Sequence, residues 1–356
     1  KAYRCRMRCR DACGPRVGCH FVLVSIRELT RLRKYPGILT GGLLVLLCGA
    51  FLASLIIGDA NVPLSDVLKL ITGADGDGVA KTIVMDFRLP RALVAVLVGA
   101  ALASAGSSLQ GLTGNPLADP YLLGVASGAS LGAAVAVATP GLSSMIPICA
   151  TTGALLSLLL VFAITGRDPR AHPGRFLLGG VIVGSFLAAA GQLLLALTGT
   201  SQDRIVAWIL GDLGSATLEQ ARWAAPVIGV GIAVLWWFGP QVDAIAFGPA
   251  LARTVGVKLE VLPILLLSIV GVLTAIAVSI SGIIGFIGFV TPHIARALVG
   301  CVQRRVLITA ALCGGLLLLV ADVLSRTLRP GMPIPIGVIT ALLGAPALAV
   351  VLRKAL

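Results

Sequence analysis

The chain has 356 residues, 57% of them hydrophobic and only 12% charged, with a mean hydropathy of +1.01. Soluble domains carry about a quarter of their residues as charges, so this composition excludes a water-soluble fold and points to helices in lipid. The formal charge of +13 does not argue for nucleic acid: 10 of the 28 Lys and Arg stand in residues 1–34, ahead of the first long apolar run, and no aromatic residues interleave a basic surface.

Residues 1–37 read as a basic cytoplasmic N-terminal tail facing anionic lipid headgroups. Its Cys5, Cys9, Cys13 and Cys19, with His20, match no zinc spacing, and its basic stretch is too long for a cleavable signal peptide. Cys48, Cys149, Cys301 and Cys313 read as ordinary small apolar residues. A transmembrane domain follows over 38–356. The first apolar segment covers 38–57, and 62–70 predicts a short amphipathic helix at the interface, with Pro63 in its first turn.

The second segment, 89–109, begins at Arg88-Leu89-Pro90-Arg91 and presents Gly99, Ala103 and Ser107 at four-residue spacing, a small face that invites a close neighbour. Gly111, Gly114, Pro116 and Pro120 break the helix after it. The third segment carries Gly124, Gly128 and Gly132, a row that speaks of helix packing. Segments four (145–165), five (176–197) and six (223–238) follow, then a polar interval at 239–260 and segment seven at 261–281. Gly282, Gly285 and Gly288 predict irregular backbone, buried in protein or lining a cavity because lipid does not tolerate it, and Thr291-Pro292 predicts a helix start. Segments eight (292–299), nine (306–324) and ten (336–352) complete an all-α, polytopic architecture of about ten transmembrane helices.

Ten crossings place both termini on one side, and the basic tail makes that side the cytoplasm. The pairs Arg88/Arg91 and Arg326/Arg329 then fall outside, against the usual preference, each beside a crossing. Either an acidic partner docks on them or they snorkel to lipid phosphates. Asp322 is placed to pair with Arg326 one helical turn on, His293 reads as a helix-end hydrogen-bonder rather than a metal ligand, and Asn115 and Asp119 read as backbone caps. No catalytic arrangement and no metal-binding cluster is expected. The 15 acidic residues fall mostly in loops, which argues against an ion-coupled secondary transporter with buried carboxylates.

Several ordered blocks resemble the FecCD family, the permease subunits of type II ATP-binding-cassette importers for iron-siderophores, haem and cobalamin. They are Arg88-Leu89-Pro90-Arg91, Gly114-Asn115-Pro116-Leu117-Ala118-Asp119-Pro120, Leu123-Gly124-Val125-Ala126-Ser127-Gly128-Ala129, Trp208 with Gly211, the run Gly285 to Arg296, Ala321-Asp322 with Arg326, and the run Pro335 to Pro346. The resemblance implies the type II importer permease fold in a bacterial inner membrane, two permease subunits (a homodimer) around one pathway, two cytoplasmic ATPase subunits below and a periplasmic or surface-tethered substrate-binding protein above. It implies no cofactor in this chain, ATP and Mg2+ being bound by the partner ATPase; no G-x-x-x-x-G-K-[ST] loop is present here.

By the same resemblance Arg88, Arg91 and Arg326 would dock the binding protein, and Arg329 has no counterpart. The interval 242–257 would be the coupling helices, with Gly248, Leu251, Ala252, Arg253, Gly256 and Val257 contacting the ATPase. Asn115, Pro116, Gly124 and Gly128 would form gate and packing positions. The chain departs from the family at Gly248-Pro249-Ala250, where acidic residues are usual, and at Gly300-Cys301-Val302-Gln303-Arg304, where an Asp-His pair is usual. The implied cargo is a ferric siderophore or haem, with cobalamin as the alternative, moved by alternating access along an apolar lining from helices five and ten.

Overall fold

The computed structural model of the protein describes residues 36–58, 62–63, 67, 78–139, 141–142, 145–165, 173–198, 209–329 and 334–355. The tail up to residue 35, most of the interfacial helix expected at 62–70, and Trp208 lie outside the described residues. In hydrocarbon each backbone N–H and C=O must be satisfied within the chain, so the apolar runs close as helices, and the described residues hold no strand.

In chain order the helices are α1 (Pro36–Ile56), α2 (Gly78–Thr82), α3 (Leu89–Thr113), α4 (Val125–Ala138), α5 (Ile146–Thr165), α6 (Pro173–Thr198) and α7 (Leu218–Trp237). Then come α8 (Gly239–Ala246), α9 (Pro249–Thr254), α10 (Leu262–Ser281), α11 (Ile287–Val299), α12 (Gln303–Thr327) and α13 (Ile336–Ala355). Seven helical stretches are long and apolar enough to cross a membrane, and α4, α11 and α13 add shorter apolar helices. These are the ten expected segments. Their up-and-down order places Pro36, Ala355, α8 and α9 at one end of the bundle, here called lower, and the start of α3 and the close of α12 at the upper end.

The α3 start at Leu89, with Pro90 in its first turn, is the expected one. Helical backbone nonetheless leads into it from Gly78, through the wide turn Ile83–Arg88 in which Leu89 N–H reaches back to the Val84 carbonyl. One start differs from expectation: α11 begins at Ile287 rather than at Pro292. Proline lacks the N–H that would bond to the Gly288 carbonyl, and that carbonyl lies against Gly106 of α3 instead.

The core is the pair α3 and α12. Most of α3 is buried, and α12 crosses it where Gly99 faces Gly314: a Cβ on either glycine would collide with the other's carbonyl oxygen. Gly315 packs on Val96 in the same crossing, so the two backbones meet with no side chain between them. The small face of Gly99, Ala103 and Ser107 in α3 is therefore a contact surface for α12, as its four-residue spacing suggested. Gly314→Leu should force this crossing apart and cost about 3 kcal/mol of stability. A large drop in thermal midpoint for the detergent-purified protein would show it; an unchanged midpoint would mean the crossing is not tight.

Candidate functional site

Three charged or irregular features stand out, and α12 reaches two of them. A 25-residue helix spans roughly 37 Å, enough to cross the bilayer core. At its upper end Asp322 is fully buried and accepts from Arg91 Nε of α3 at 2.5 Å, while Arg326 Nη2 lies 3.1 Å from its other oxygen. Arg326 Nη2 also donates to the Ser54 carbonyl at 3.3 Å, and Arg88 Nη1 donates to the Leu55 and Ile56 carbonyls at 2.8 Å each. The last carbonyls of a helix have no intrahelical donors and carry the negative end of its dipole, so the close of α1 is a natural seat for guanidinium. The pairing of Asp322 with Arg326 follows from their spacing; the contribution of Arg91, 231 residues away in sequence, does not.

All three arginines expected to dock a partner are thus gathered in one cluster around Asp322 and the close of α1. They are mostly buried, Arg88 being only 5% exposed.

At the lower end α12 begins without a side-chain cap of its own. Asp243 of α8 supplies it, both carboxylate oxygens accepting from Gln303 N–H at 3.1 and 3.2 Å. Burial pushes the Asp243 carboxyl above its usual range, and the bond from Gln303 opposes that shift. The Gln303 amide donates to Ser107 of α3, through its carbonyl and hydroxyl. Arg304 donates to the Trp236 and Trp237 carbonyls at the close of α7 and stacks 4.6 Å from the Trp236 ring. Gln303 and Arg304 lie in the stretch that departs from the family pattern, and they tie α8 to both α12 and α3.

Past α8 the chain reverses at Gly248, whose φ of 119° favours glycine, and Pro249 opens α9 at a position where no N–H is needed. The Gly248-Pro249 departure is therefore a helix start. Ala252 and Val257 are buried, whereas Arg253, Gly256 and Leu251 are exposed, Leu251 by 48%. Phe247, 79% exposed, and Val255 stand beside Leu251 in sequence and were missed in the sequence, where an aromatic near a polar interval is no signal. Behind α8 and α9 lies a cavity of about 430 Å³ lined by Leu109, Leu123, Phe176, Ala246, Pro249 and Leu267.

The third feature is the break around Gly114–Leu123. Asn115 Oδ1 accepts from Leu117 N–H and Asp119 Oδ1 from Tyr121 N–H, the capping roles expected of them. The Pro116 carbonyl takes a hydrogen bond from His293 Nε2 at 2.9 Å, so this histidine bonds backbone as expected, though from the middle of α11 rather than from a helix end. Gln110 donates to the Ala118 and Phe289 carbonyls and accepts from Arg296. Gly124 packs on Ser157 and the Gly180 carbonyl, and Gly128 on Gly153, so both form the seam of α4 with α5 and α6.

Tyr121 reaches further. Its hydroxyl donates to the Ile284 carbonyl at 3.0 Å and accepts from Ile284 N–H at 3.1 Å, satisfying the unwound backbone between α10 and α11. Beside it Phe286, the one non-glycine among the described residues with positive φ (70°), packs against Gly344 of α13. Among the described residues no group of His, Cys, Asp and Glu could hold a metal ion.

Comparison with known proteins fits this arrangement. A family model described as the FecCD transport family matches residues 44–354. The chain is 37% identical to the cobalamin import system permease protein BtuC of Halobacterium salinarum, over 77% of this chain and 74% of that protein. It is 33% identical to the Fe(3+) dicitrate transport system permease protein FecC of Escherichia coli, over 90% of this chain and 98% of that one. A solved structure described as an inward-facing conformation of a metal-chelate type ABC transporter superposes with a TM-score of 0.80 at 29% identity, covering 90% of this chain and all of that one.

Two substitutions probe the break. Tyr121→Phe removes both hydrogen bonds to Ile284 and should cost about 1–3 kcal/mol, read as a fall in thermal midpoint; an unshifted midpoint would mean Ile284 finds other partners. Asp119, outside the spanning helices, has its carboxyl pushed up to about 6 by burial, against a smaller lowering from Tyr121 N–H. A raised folded-state pKa in an acid means stability lost as pH rises from its unfolded value through about 6. Asp119→Asn keeps the cap acceptor and should gain about 1 kcal/mol on the parent between pH 5 and pH 7.5. Parallel pH dependences of the two would refute it.

Proposed function

The chain belongs to the FecCD transport family, and on that premise we propose how it works. It is a multi-pass membrane permease subunit of an ATP-binding-cassette importer that moves a metal chelate across the membrane by alternating access. The observation that carries this reading is the family match over nearly the whole chain, together with ten apolar segments in the family's order. Cargo is best read as a ferric chelate, a siderophore or haem, in keeping with the ferric dicitrate relative and with the hemin transport system permease protein HmuU of Yersinia pestis, 34% identical over 88% of this chain; the cobalamin relative supports a corrinoid as the second reading.

In the assembly proposed here, a second copy of the chain completes the pathway in a bacterial inner membrane, with both termini cytoplasmic. The exposed face of α6, where Leu178, Ile182, Phe186, Leu193 and Leu197 recur at helical spacing, suits a wide apolar lining that passes a large chelate without trapping it. At the lower end Phe247 and Leu251 present apolar side chains that suit insertion into a groove of a separate ATPase, the subunit that would bind ATP and Mg2+. Asp243 and Arg304 would then pass its displacement to α12, and the cavity behind α8 and α9 leaves room for them to move. At the upper end Arg88, Arg91 and Arg326 would receive acidic residues of a substrate-binding protein.

ATP-dependent uptake into proteoliposomes holding the permease, its ATPase and its binding protein tests the reading. Ferric citrate, a hydroxamate siderophore, haem and cobalamin are offered in parallel. Accumulation of a ferric chelate is the expected result; accumulation of cobalamin alone would install the second reading, and equal uptake without ATP would refute the importer. Phe247→Asp with Leu251→Asp should abolish coupled uptake at unchanged protein level, and Arg91→Glu should weaken docking of the binding protein by about a hundredfold.

A further inference from the structure

A carboxylate buried among guanidiniums is commonly a structural staple, but the bonding pattern around Asp322 is uneven. Arg91 gives Asp322 its Nε and spends no Nη hydrogen on it, in a side chain that keeps 12% exposure where that of Asp322 has none. Its Nη2 is buried and has no hydrogen-bond partner among the described residues. A buried N–H of a charged group left unpaired is costly and calls for an acceptor that comes from elsewhere. Arg326 turns its Nη2 to the same Asp322 and to the Ser54 carbonyl, so one carboxylate sets the direction of two guanidiniums.

The geometry points to Asp322 as a positioning residue for docking: it holds Arg91 by Nε so that the Nη edge is preset for a carboxylate of the incoming binding protein. This rests on the docking role proposed above for the arginines. A free guanidinium on a flexible stem pays rotamer entropy when it is captured, whereas one already fixed loses little, and the preset fork accepts a carboxylate in bidentate geometry. Asp322 acts through Arg91 and is not itself a contact, being fully buried.

The experiment measures docking of the binding protein that supports uptake in the proteoliposome assay, on permease–ATPase complexes in nanodiscs, with a thermal midpoint recorded for each variant. Asp322→Asn should weaken docking about tenfold in the wild-type background and less than about twofold in an Arg91→Lys background, because the lysine has no Nη edge to position. Arg91→Lys alone, which keeps the charge and the ion pair and so preserves the fold, should weaken docking about tenfold. Equal losses from Asp322→Asn in both backgrounds would make Asp322 a general structural support and overturn the proposal. So would tighter docking of Asp322→Asn, which would make it a competitor for the arginines, or wild-type docking by Arg91→Lys. Docking indifferent even to Arg91→Glu would instead sink the docking reading itself.

Discussion

Where α3 meets α12, two glycines bring backbone against backbone, and this contact sets the geometry of the rest. Helices in lipid gain nothing from the hydrophobic effect against each other, so close approach and buried polar bonds must hold them together. At Gly99 and Gly314 the approach is as near as peptide groups allow. The ends of the same pair are then fastened by charge: Asp322 and Arg91 above, and below Gln303, which joins Ser107 of α3 to Asp243 of α8. A displacement of α8 therefore acts on a two-helix unit that is bolted at both ends and cannot shear at its middle.

The irregular stretches obey the same constraint from the other side. Unwound backbone inside a membrane survives only where protein supplies its partners, and Tyr121 does so for Ile284 with a single hydroxyl used in both directions. Further support comes from chain segments brought alongside: Asp212 N–H bonds to the Ser281 carbonyl, and Ile336 and Gly337 N–H bond to the carbonyls of Gly211 and Leu210. Three connections, each unable to span lipid alone, thus complete one another.

Much of this was legible in the chain. Apolar run lengths give the ten segments, Gly and Pro mark the breaks, and short-range roles such as the Asn115 and Asp119 caps and the Asp322–Arg326 pair follow from local spacing. What escaped is long-range or conformational. Pro292 was read as a helix start, yet it sits in a helix already begun at Ile287, because proline's missing N–H can be absorbed as well as avoided. Asp243 capping α12, and Arg91 reaching Asp322, join residues 60 and 231 positions apart, beyond any periodicity. Burial of the arginines was hidden for the same reason.

The cavity behind α8 and α9 has a consequence in the currency of volume. An apolar space of about 430 Å³ is compressible in a way that a close-packed interior is not. Movement of the two short helices into it eliminates whatever part of that space solvent leaves unfilled, and to that extent the collapsed state occupies less total volume than the open one. Hydrostatic pressure favours the smaller system. Pressure therefore favours the conformer in which this space is closed, and because a complete cycle both closes and reopens it, the step that opens the space bears the cost.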